Sequence, residues 1–519
     1  MARSRRRTLI QGTAANVASL PAPVGGWNAR DSLANMEVTD AVTLDNWFPS
    51  VSSVNLRGGY TNWSTGLPGE VETLMAYSSG TSSKLFAVSN GNIYDVSAGG
   101  AVGSPVVSGL SNSKWEYVNI TTAGGSFMMC VNGVDNARLY DGSTWTTITG
   151  SSTPAITGVA TTTFDNVTLF KNRLWFVQHN SLKAWYLPTN SVGGAAQQFD
   201  LTSVARLGGQ IVSFGAWTID AGYGVDDNLA FVTSNGEIIV YRGTDPASAS
   251  TWALIGVWQL GAPVGHRCTF KYAGDMLILS LDGLLPLASA LQSSRLDPRV
   301  ALSNKIQGAI TEATSTYKDN FGWQMLYYAK NNALWINVPA GQGKQEQFVM
   351  NTITKSWCRF TGWNSNCWVI FRDEPFFGGN GVVGQAWANT YADNGVSINA
   401  NALQAFNYYG SRGVKKYFTR ARPSIFTDGE PSIFVGMNVD FQISDSTAAL
   451  SFLPNTYAKW DSATWDSSVW GPGMAITNNW QGITGLGYCG AIQLKSLSKG
   501  IQTEWASTDV VYQSGWAGI

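Results

Sequence analysis

A recurring β-hairpin constrains this chain more than any other feature of its sequence. A run of about four apolar residues is followed by a Gly/Asn turn and by a second strand that carries an aromatic residue, a pattern typical of hairpins. The copies read "LFAVSNGNIYDV" from Leu85, "FMMCVNGVDNARLYDG" from Phe127, "LWFVQHNSLKAWYL" from Leu174, "LAFVTSNGEIIVY" from Leu229, "LILSLDGLLPLA" from Leu277, "LWINVPAGQGKQEQFVMNT" from Leu334 and "PFFGGNGVVGQAW" from Pro375.

The spacing of these hairpins indicates one architecture. Their turns are about 40–58 residues apart, which brackets the period of propeller blades, and they fall near Asn90, Gly133, Asn180, Gly236, Gly283, Gly341 and Asn380. A four-stranded blade cannot bury both of its faces alone, whereas a ring of blades can. We therefore predict a mainly β chain with a β-propeller of about seven blades over residues 65–395.

The pattern changes on both sides of this region. From about Ala400 onward, segments such as "KKYFTRARPSIF" and "IQTEWASTDVVYQ" alternate apolar and polar residues, which predicts a separate antiparallel β-sandwich or barrel over residues 396–519. Residues 1–64 form the predicted N-terminal arm. Within it, Thr39 is expected to cap a short helix through "DAVTLDNW", and a strand with Val54 and Leu56 follows.

Charge and hydropathy exclude several classes of protein. Charged residues make up 13% of the chain, and 33 Lys and Arg nearly cancel 34 Asp and Glu, which argues against tight binding of nucleic acid. The basic cluster "RSRRR", Arg3 to Arg7, predicts a disordered or partner-docked tail and not a signal peptide. The richest apolar segment, "MLILSLDGLLPLASAL", is interrupted by Asp282 and Pro286, so no membrane span is expected.

The residue types that usually carry chemistry are sparse. Five scattered cysteines without a C-x-x-C spacing predict buried thiols in a reducing compartment, neither disulfides nor metal ligands. The only histidines, His179 and His266, are 87 positions apart, outside any metal-binding spacing. A G-x-S-x-G nucleophile motif is also missing. We therefore predict no catalytic residue, no metal and no cofactor, and hence a protein that is not an enzyme.

Three motifs keep an enzymatic or binding alternative open. "GLGYCG", Gly485 to Gly490, matches G-x-G-x-x-G, but the alternating "AIQLKSL" after it predicts a strand instead of the helix that nucleotide binding requires. "YDGSTW" at Tyr140 is close to the Asp-box turn of sialidase-type propellers. The paired acids Asp226-Asp227 and Asp373-Glu374 suit glycoside hydrolysis. The alternative function is therefore a propeller lectin or glycosidase that binds host surface glycans.

Two aromatic segments are candidate assembly sites. "KWDSATWDSSVWG" places Trp460, Trp465 and Trp470 five residues apart, and large rigid side chains of this kind pack locally or anchor an interface between subunits. "LDNWFP" is the second segment. Its side chains are expected to hold a turn and to anchor the arm on the β scaffold, and they are Asp45, Asn46, Trp47, Phe48 and Pro49.

The run "RDSLANMEVTDAVTLDNWFPSVSSVNLRGGY", Arg30 to Tyr60, resembles the N-terminal signature of tail nozzle (tail hub, or tail tubular) proteins of short-tailed bacteriophages. That signature reads D-x-L-x-x-M-x-x-x-x-A-x-x-L-D-N-x-x-P before a strand and an R-x-G-Y turn. The matching positions are Asp31, Leu33, Met36, Ala41, Leu44, Asp45, Asn46 and Pro49. The segments "WDSATWDSSVW" and "EWASTDVVYQSG" are similar to the C-terminal domain of the same family.

The resemblance implies a structural protein of the virion, assembled in the host cytoplasm. It further implies a ring, a homohexamer, whose propellers surround the DNA-ejection channel. The implied partners are a tail adaptor protein, tail fibres or spikes, and genomic DNA that passes without specific binding. The low and balanced charge suits such a conduit, because a lining that bound DNA tightly would obstruct ejection.

Overall fold

The apolar runs and alternating segments form β-strands, and the chain is mainly β. The computed structural model describes residues 15–80, 82–220, 225–290, 298–341, 343–445, 448–452 and 473–515. The chain divides into two units. Unit 1 comprises Met1–Arg57, Ser356–Cys358 and Thr390–Ile519, and unit 2 comprises Gly58–Lys355 and Arg359–Asn389.

The N-terminal strands correct one prediction. They are β1 (Ala15–Pro21), β2 (Gly26–Trp27), β3 (Asp40–Asp45), β4 (Trp47–Pro49) and β5 (Val54–Leu56). The predicted helix over "DAVTLDNW" is wrong, because β3 occupies most of that segment and pairs with residues 401–404. An isolated helix of about two turns is marginal in water, whereas strand pairing completes the backbone hydrogen bonds and buries Ala41 and Leu44.

Unit 2 is a series of mainly antiparallel sheets whose strands mostly follow chain order. The strands are β6 (Gly59–Ser78), β7 (Ser83–Ser89), β8 (Asn92–Asp95), β9 (Gly100–Ala101), β10 (Glu116–Thr122), β11 (Gly125–Val131), β12 (Arg138–Tyr140), β13 (Trp145–Thr147), β14 (Ile156–Thr157), β15 (Phe164–Phe170), β16 (Arg173–Gln178), β17 (Lys183–Tyr186), β18 (Gly194–Ala195), β19 (Gln197–Asp200), β20 (Ile211–Asp220), β21 (Val225–Thr233), β22 (Glu237–Gly243), β23 (Trp252–Gln259), β24 (Thr269–Tyr272), β25 (Asp275–Ser280), β26 (Gly283–Pro286), β27 (Gln324–Tyr328), β28 (Ala333–Val338), β29 (Glu346–Asn351), β30 (Trp357–Thr361), β31 (Cys367–Phe371), β32 (Glu374–Gly378) and β33 (Asn380–Ala388). The helices are α1 (Leu287–Ala290) and α2 (Gln307–Tyr317), with 3₁₀ turns at Thr161–Thr163, Pro298–Val300, Asn304–Ile306 and Ala329–Asn331.

The predicted hairpins form the second and third strands of these sheets. The second strand is buried on both faces. In β11, Met128 and Cys130 pack against the sheet of β6–β8, whereas Met129 and Val131 pack against the sheet that begins with β15. Strands buried on both faces read as continuous apolar runs, which explains "MMCV" and its counterparts in the other hairpins.

The first strands of the sheets close a ring, which makes unit 2 a β-propeller. In order, β6, β10, β15, β20, β24, β27 and β31 lie side by side, and β31 returns to β6. The closure depends on β6, which belongs to two sheets. Its first part pairs with β33, for example Thr65 with Val382, and its second part pairs with β7 from Val71 to Ser78.

Unit 1 contains two sheets. Its remaining strands are β34 (Ile398–Gln404), β35 (Lys416–Thr427), β36 (Ile433–Val439), β37 (Ala448–Ala449), β38 (Ala475–Thr477), β39 (Gln481–Gly487), β40 (Gly490–Ser498) and β41 (Thr503–Ser514). One sheet has the order β38–β35–β41–β5–β4, with β1 on β41 and β39 on β35. The other runs β3–β34–β40–β36–β37, with β2 on β3.

The N-terminal segment is built into unit 1 by strand pairing. The predicted division gives residues 1–64 an arm of their own. In the structure, β1 pairs with β41 in the register Ala15 to Gln513, and β5 pairs with β41 in the register Val54 to Trp505. Strands that would otherwise present unpaired backbone groups find partners in the C-terminal part of the sequence.

Substitution of Trp63 tests the importance of the ring closure. It lies in the first part of β6, donates Nε1–H to the Val96 carbonyl at 2.7 Å, and packs edge-on against Phe376 at 5.3 Å. Because these contacts join two sheets, Trp63→Ala should lower the free energy of unfolding by about 2–4 kcal/mol, near the range for buried Trp→Ala changes. Chemical denaturation measures the change.

Thr65→Ala is the matched control, since Thr65 is exposed on the same strand. It should change the free energy of unfolding by less than about 0.5 kcal/mol. Equal effects of the two substitutions would contradict a specific role of the Trp63 contacts in closing the ring.

Candidate functional site

The first strands of unit 2 surround a cavity of about 420 Å³. The strands that line it come from sheets distributed around the ring, and they contribute residues such as Leu74, Tyr117, Val167, Phe214, Phe270 and Val369. Inner strands point alternate side chains toward the axis, and so the cavity lies on the axis of the propeller.

A largely but not fully buried arginine bridges this cavity. Arg267, just before β24, donates Nε–H to the Glu116 carboxylate on β10 at 2.7 Å. The same guanidinium donates to Thr73 Oγ1 at 3.2 Å and to the Trp115 carbonyl at 3.0 Å. Burial alone would lower the pKa of Arg267, but the Glu116 carboxylate, together with smaller contributions from other neighbouring groups, raises that pKa overall. The arginine therefore stays charged while it joins sheets from opposite parts of the chain.

Gln324 extends this network to a further sheet. Its Nε2 donates to the Trp368 carbonyl at 2.8 Å, and its Oε1 accepts from the Trp368 amide at 2.9 Å. Arg267 Nη1 lies 3.5 Å from the same Oε1. Each of these side chains is held by protein partners, an arrangement that fixes the sheets around the axis.

The residues of "LDNWFP" lie inside unit 1. Asp45 ends β3, and Asn46 has the left-handed φ of 59° that turns the chain into β4. Trp47 is fully buried and packs edge-on against Trp505 of β41, with ring centroids 6.5 Å apart. Phe48 and Pro49 are also buried and pair with β5. The aromatic pair thus anchors the N-terminal segment internally instead of presenting an exposed interface.

Arg57 is the centre of this junction, and no sequence pattern pointed to its partners. Its side chain has no exposed area, and it forms a bidentate ion pair with Asp393 at 2.8 and 2.6 Å. Arg57 Nε donates to Asn46 Oδ1 at 2.8 Å, and Asn46 Nδ2 donates to the Asn399 carbonyl at 2.7 Å. We call Asn46, Trp47, Arg57, Asp393 and Trp505 the signature junction.

The two histidines share a carboxylate although they are far apart in the sequence. His179 Nδ1 lies 3.1 Å from Asp165 Oδ2, and His266 Nδ1 lies 4.0 Å from the same atom. A spacing of 87 residues gave no signal of this approach. Within the described ranges, no group of three or more His, Cys, Asp or Glu residues is placed to hold a metal ion.

The remaining motifs serve the fold. The segment "AIQLKSL" forms most of strand β40, as predicted, and a Cβ on Gly490, its first residue, would lie only 2.7 Å from Met437 Sδ. In "YDGSTW", the Asp141 carboxylate accepts four hydrogen bonds from the amides and hydroxyls of Ser143 and Thr144. Burial opposes them, but together they lower the pKa of Asp141 to about 2.

Two of the paired acids are engaged in ion pairs. Asp227 accepts from Lys171 at 2.9 Å, and Glu374 accepts from the Tyr328 hydroxyl at 2.9 Å and from Lys330 at 2.5 Å. All five cysteines are buried and free, as predicted. Burial raises the pKa of the Cys268 thiol to about 12.

Two predictions lie outside the described residues. They are the basic cluster Arg3 to Arg7 and the interface residues Trp460, Trp465 and Trp470. In the part of the chain that the structure describes, no helix has both the length and the apolar character to cross a bilayer.

Comparisons with known proteins give solved structures of low similarity. No family model matches the sequence, and no curated protein matches it either. Among solved structures, BBS1N in complex with ARL6DN has a TM-score of 0.40 and 10% identity over 64% of this chain and 97% of that chain. YCF48 bound to D1 peptide gives 0.36 and 13% identity over 64% and 97%.

A third solved structure is the exo-β-1,3-galactanase of Phanerochaete chrysosporium with galactose. Its TM-score is 0.26, with 9% identity over 76% of this chain and 95% of that chain. Scores this low support no conclusion about function. The propeller assignment therefore rests on the strand pairing and on the closed ring of first strands.

Asp393→Ala tests the signature junction. Removal of one partner leaves the Arg57 guanidinium buried without its counter-charge, which typically costs about 3–5 kcal/mol. We expect a loss of this size in the unfolding transition of unit 1, measured by denaturant titration with Trp fluorescence.

Asp445→Ala is the control for this change. Asp445 is 81% exposed and pairs with Lys495 at the surface of the same unit, where ion pairs contribute at most about 1 kcal/mol. If Asp393→Ala lowered the free energy of unfolding by no more than Asp445→Ala does, the junction would not be a source of stability.

Proposed function

We propose that this protein is a tail nozzle protein of a short-tailed bacteriophage, a structural component of the virion that continues the DNA-ejection channel. The observation that carries the proposal is the signature junction. The motif that resembles the nozzle family is an architectural element here, in which Asn46 and Trp47 join the N-terminal segment to the C-terminal strands.

We further infer the finer architecture. The sheets that begin with the second part of β6 and with β10, β15, β20, β24, β27 and β31 correspond to seven blades. The two sheets of unit 1 correspond to a sandwich. The position of Gly490 supports the sandwich, because a Cβ there would meet both Phe418 of one sheet and Met437 of the other, within 2.8 Å.

The axis of a single propeller is unsuitable for DNA. The Arg267–Glu116 bridge crosses it, and the remaining cavity measures about 420 Å³, whereas the major groove of B-DNA alone is about 12 Å wide. The channel must therefore be formed between copies. A homohexamer, the number implied by the family resemblance, closes such a ring with one repeated heterologous contact.

The partners and the location follow from the same proposal. The ring would attach to a tail adaptor protein, carry or contact tail fibres or spikes, and belong to the virion after assembly in the host cytoplasm. Genomic DNA would pass without specific binding, which agrees with 33 basic and 34 acidic residues in the chain. A balanced surface attracts phosphates only weakly.

Assembly distinguishes this proposal from the alternative. Mass photometry of the purified chain, alone and with the adaptor protein of the same phage, should reveal a ring of six copies. Cryo-electron microscopy of that ring should show a channel of mixed or weakly negative potential. A chain that stays monomeric with the adaptor and cleaves or binds oligosaccharides would support the propeller lectin or glycosidase, and a continuous basic lining would contradict a conduit.

Trp47→Ala tests the link between the signature junction and assembly. Loss of a fully buried tryptophan costs about 3–5 kcal/mol, and the loss falls on unit 1, to which Trp47 belongs. We expect fewer rings by mass photometry while circular dichroism and limited proteolysis still report the folded sheets of unit 2.

Trp47→Phe is the matched variant, because it keeps an aromatic ring against Trp505. It should retain most of the ring formation. Wild-type levels of ring formation by Trp47→Ala would remove the proposed link between the junction and assembly.

A further inference from the structure

A second cavity opens at one end of the propeller axis. Its volume is about 530 Å³, within the size range of small-molecule sites. Its lining comes from the segments that lead into the first strands of several sheets. These segments contain Lys114, Gln210, His266 and Phe321. We call this cavity the axial chamber. It adjoins the cavity described above, since His266 and Arg267 line both.

Cationic side chains outnumber carboxylates in the lining of the axial chamber. Three permanently cationic side chains, Lys114, Arg267 and Lys318, line it together with one carboxylate, Asp319. Arg267 is bound to Glu116, which leaves the two lysines as the cations best able to contact a ligand. Lys318 directly follows the last residue of α2, a position where the negative end of a helix favours a cation.

Lys114 is only weakly neutralised. Its Nζ lies 3.8 Å from Glu72 Oε1, beyond hydrogen-bond distance. Burial raises the pKa of Glu72, and Lys114 opposes the rise. Lys114 is also exposed to the chamber, with 49% of its side chain accessible, and it is available to a ligand.

The positions of these groups are fixed before any ligand binds. The Phe321 ring is in cation–π contact with two side chains, with Lys114 Nζ 4.8 Å and the Arg267 guanidinium 5.4 Å from its centroid. Asn320 Nδ2 donates to the Pro339 carbonyl at 2.8 Å, and Trp323 Nε1 donates to the Tyr317 carbonyl at 2.9 Å. Pre-organisation of this kind lowers the entropic cost of binding.

The rest of the lining suits hydroxyl groups. Gln210 and Asn320 carry amides, and Ser234 carries a hydroxyl, each of which both donates and accepts hydrogen bonds. Trp323 and Phe321 add apolar surface beside them. A ligand that satisfies all of these groups combines a negative charge with several hydroxyls.

We propose that the axial chamber binds a small polyhydroxylated anion, namely a sugar that carries a phosphate or a carboxylate group. The proposal rests on the geometry of unit 2 alone and is independent of the nozzle function. It gives the virion, if the nozzle proposal holds, a site for acidic sugars in each copy of the chain.

Calorimetric titration of the full-length protein tests the proposal with three probes: glucose 6-phosphate, glucuronate and glucose. At least one of the two anions should bind at least about tenfold more tightly than glucose, and its affinity should fall as salt is raised from 20 to 200 mM, as expected for partly exposed charges. The stronger of the two anions identifies the phosphate or the carboxylate as the preferred group.

Two variants localise the binding. Lys114→Gln and Lys318→Gln should each lower the affinity for the tighter-binding anion by about fivefold or more. A decrease of this size is in line with the loss of one hydrogen bond to a charged group. Lys499→Gln, at an exposed lysine of unit 1, should leave the affinity unchanged. Equal binding of glucose, no binding of either anion at 10 mM, or wild-type affinity in both chamber variants would overturn the proposal, whatever the oligomeric state of the protein.

Discussion

The closure of the ring by β6 is the constraint on which unit 2 depends. Sheets with two apolar faces are stable only between neighbours, so the first and last sheets must be joined. β6 does this because Gly59–Thr65 completes the sheet of β31–β33 while Val71–Ser78 begins the sheet of β7 and β8. Gly66, with a φ of +84°, and Pro68 mark the point where the strand passes from one sheet to the other.

An arginine with little or no exposed area holds each unit in register. Arg57 in unit 1 and Arg267 in unit 2 each bind several acceptors that are far apart in the sequence. A buried ion pair contributes little net free energy, because desolvation offsets the attraction, yet it penalises any arrangement that leaves the charge unpaired. This favours a scaffold whose strand order is specified by charge as well as by apolar packing.

The propeller hairpins could be predicted because their signal is local. Residues such as Met128 to Val131 are apolar at successive positions since both faces of β11 are covered, and a turn residue follows at once. The strand at Asp40–Asp45 could not be predicted in the same way. "DAVTLD" carries helix-compatible residues, and only its partner strand, some 360 positions later, decides its conformation.

The same distinction between local sequence signals and long-range contacts applies to the candidate sites. The sequence by itself determined the mainly β character, the hairpin period and the burial of the five cysteines, because each follows from the pattern of neighbouring residues. Only the tertiary structure decided that Arg57 meets Asp393, that both histidines approach Asp165, and that Lys114, Arg267 and Lys318 line one chamber. Such contacts join residues from distant strands, and ring closure, which no local pattern encodes, brings the chamber residues together.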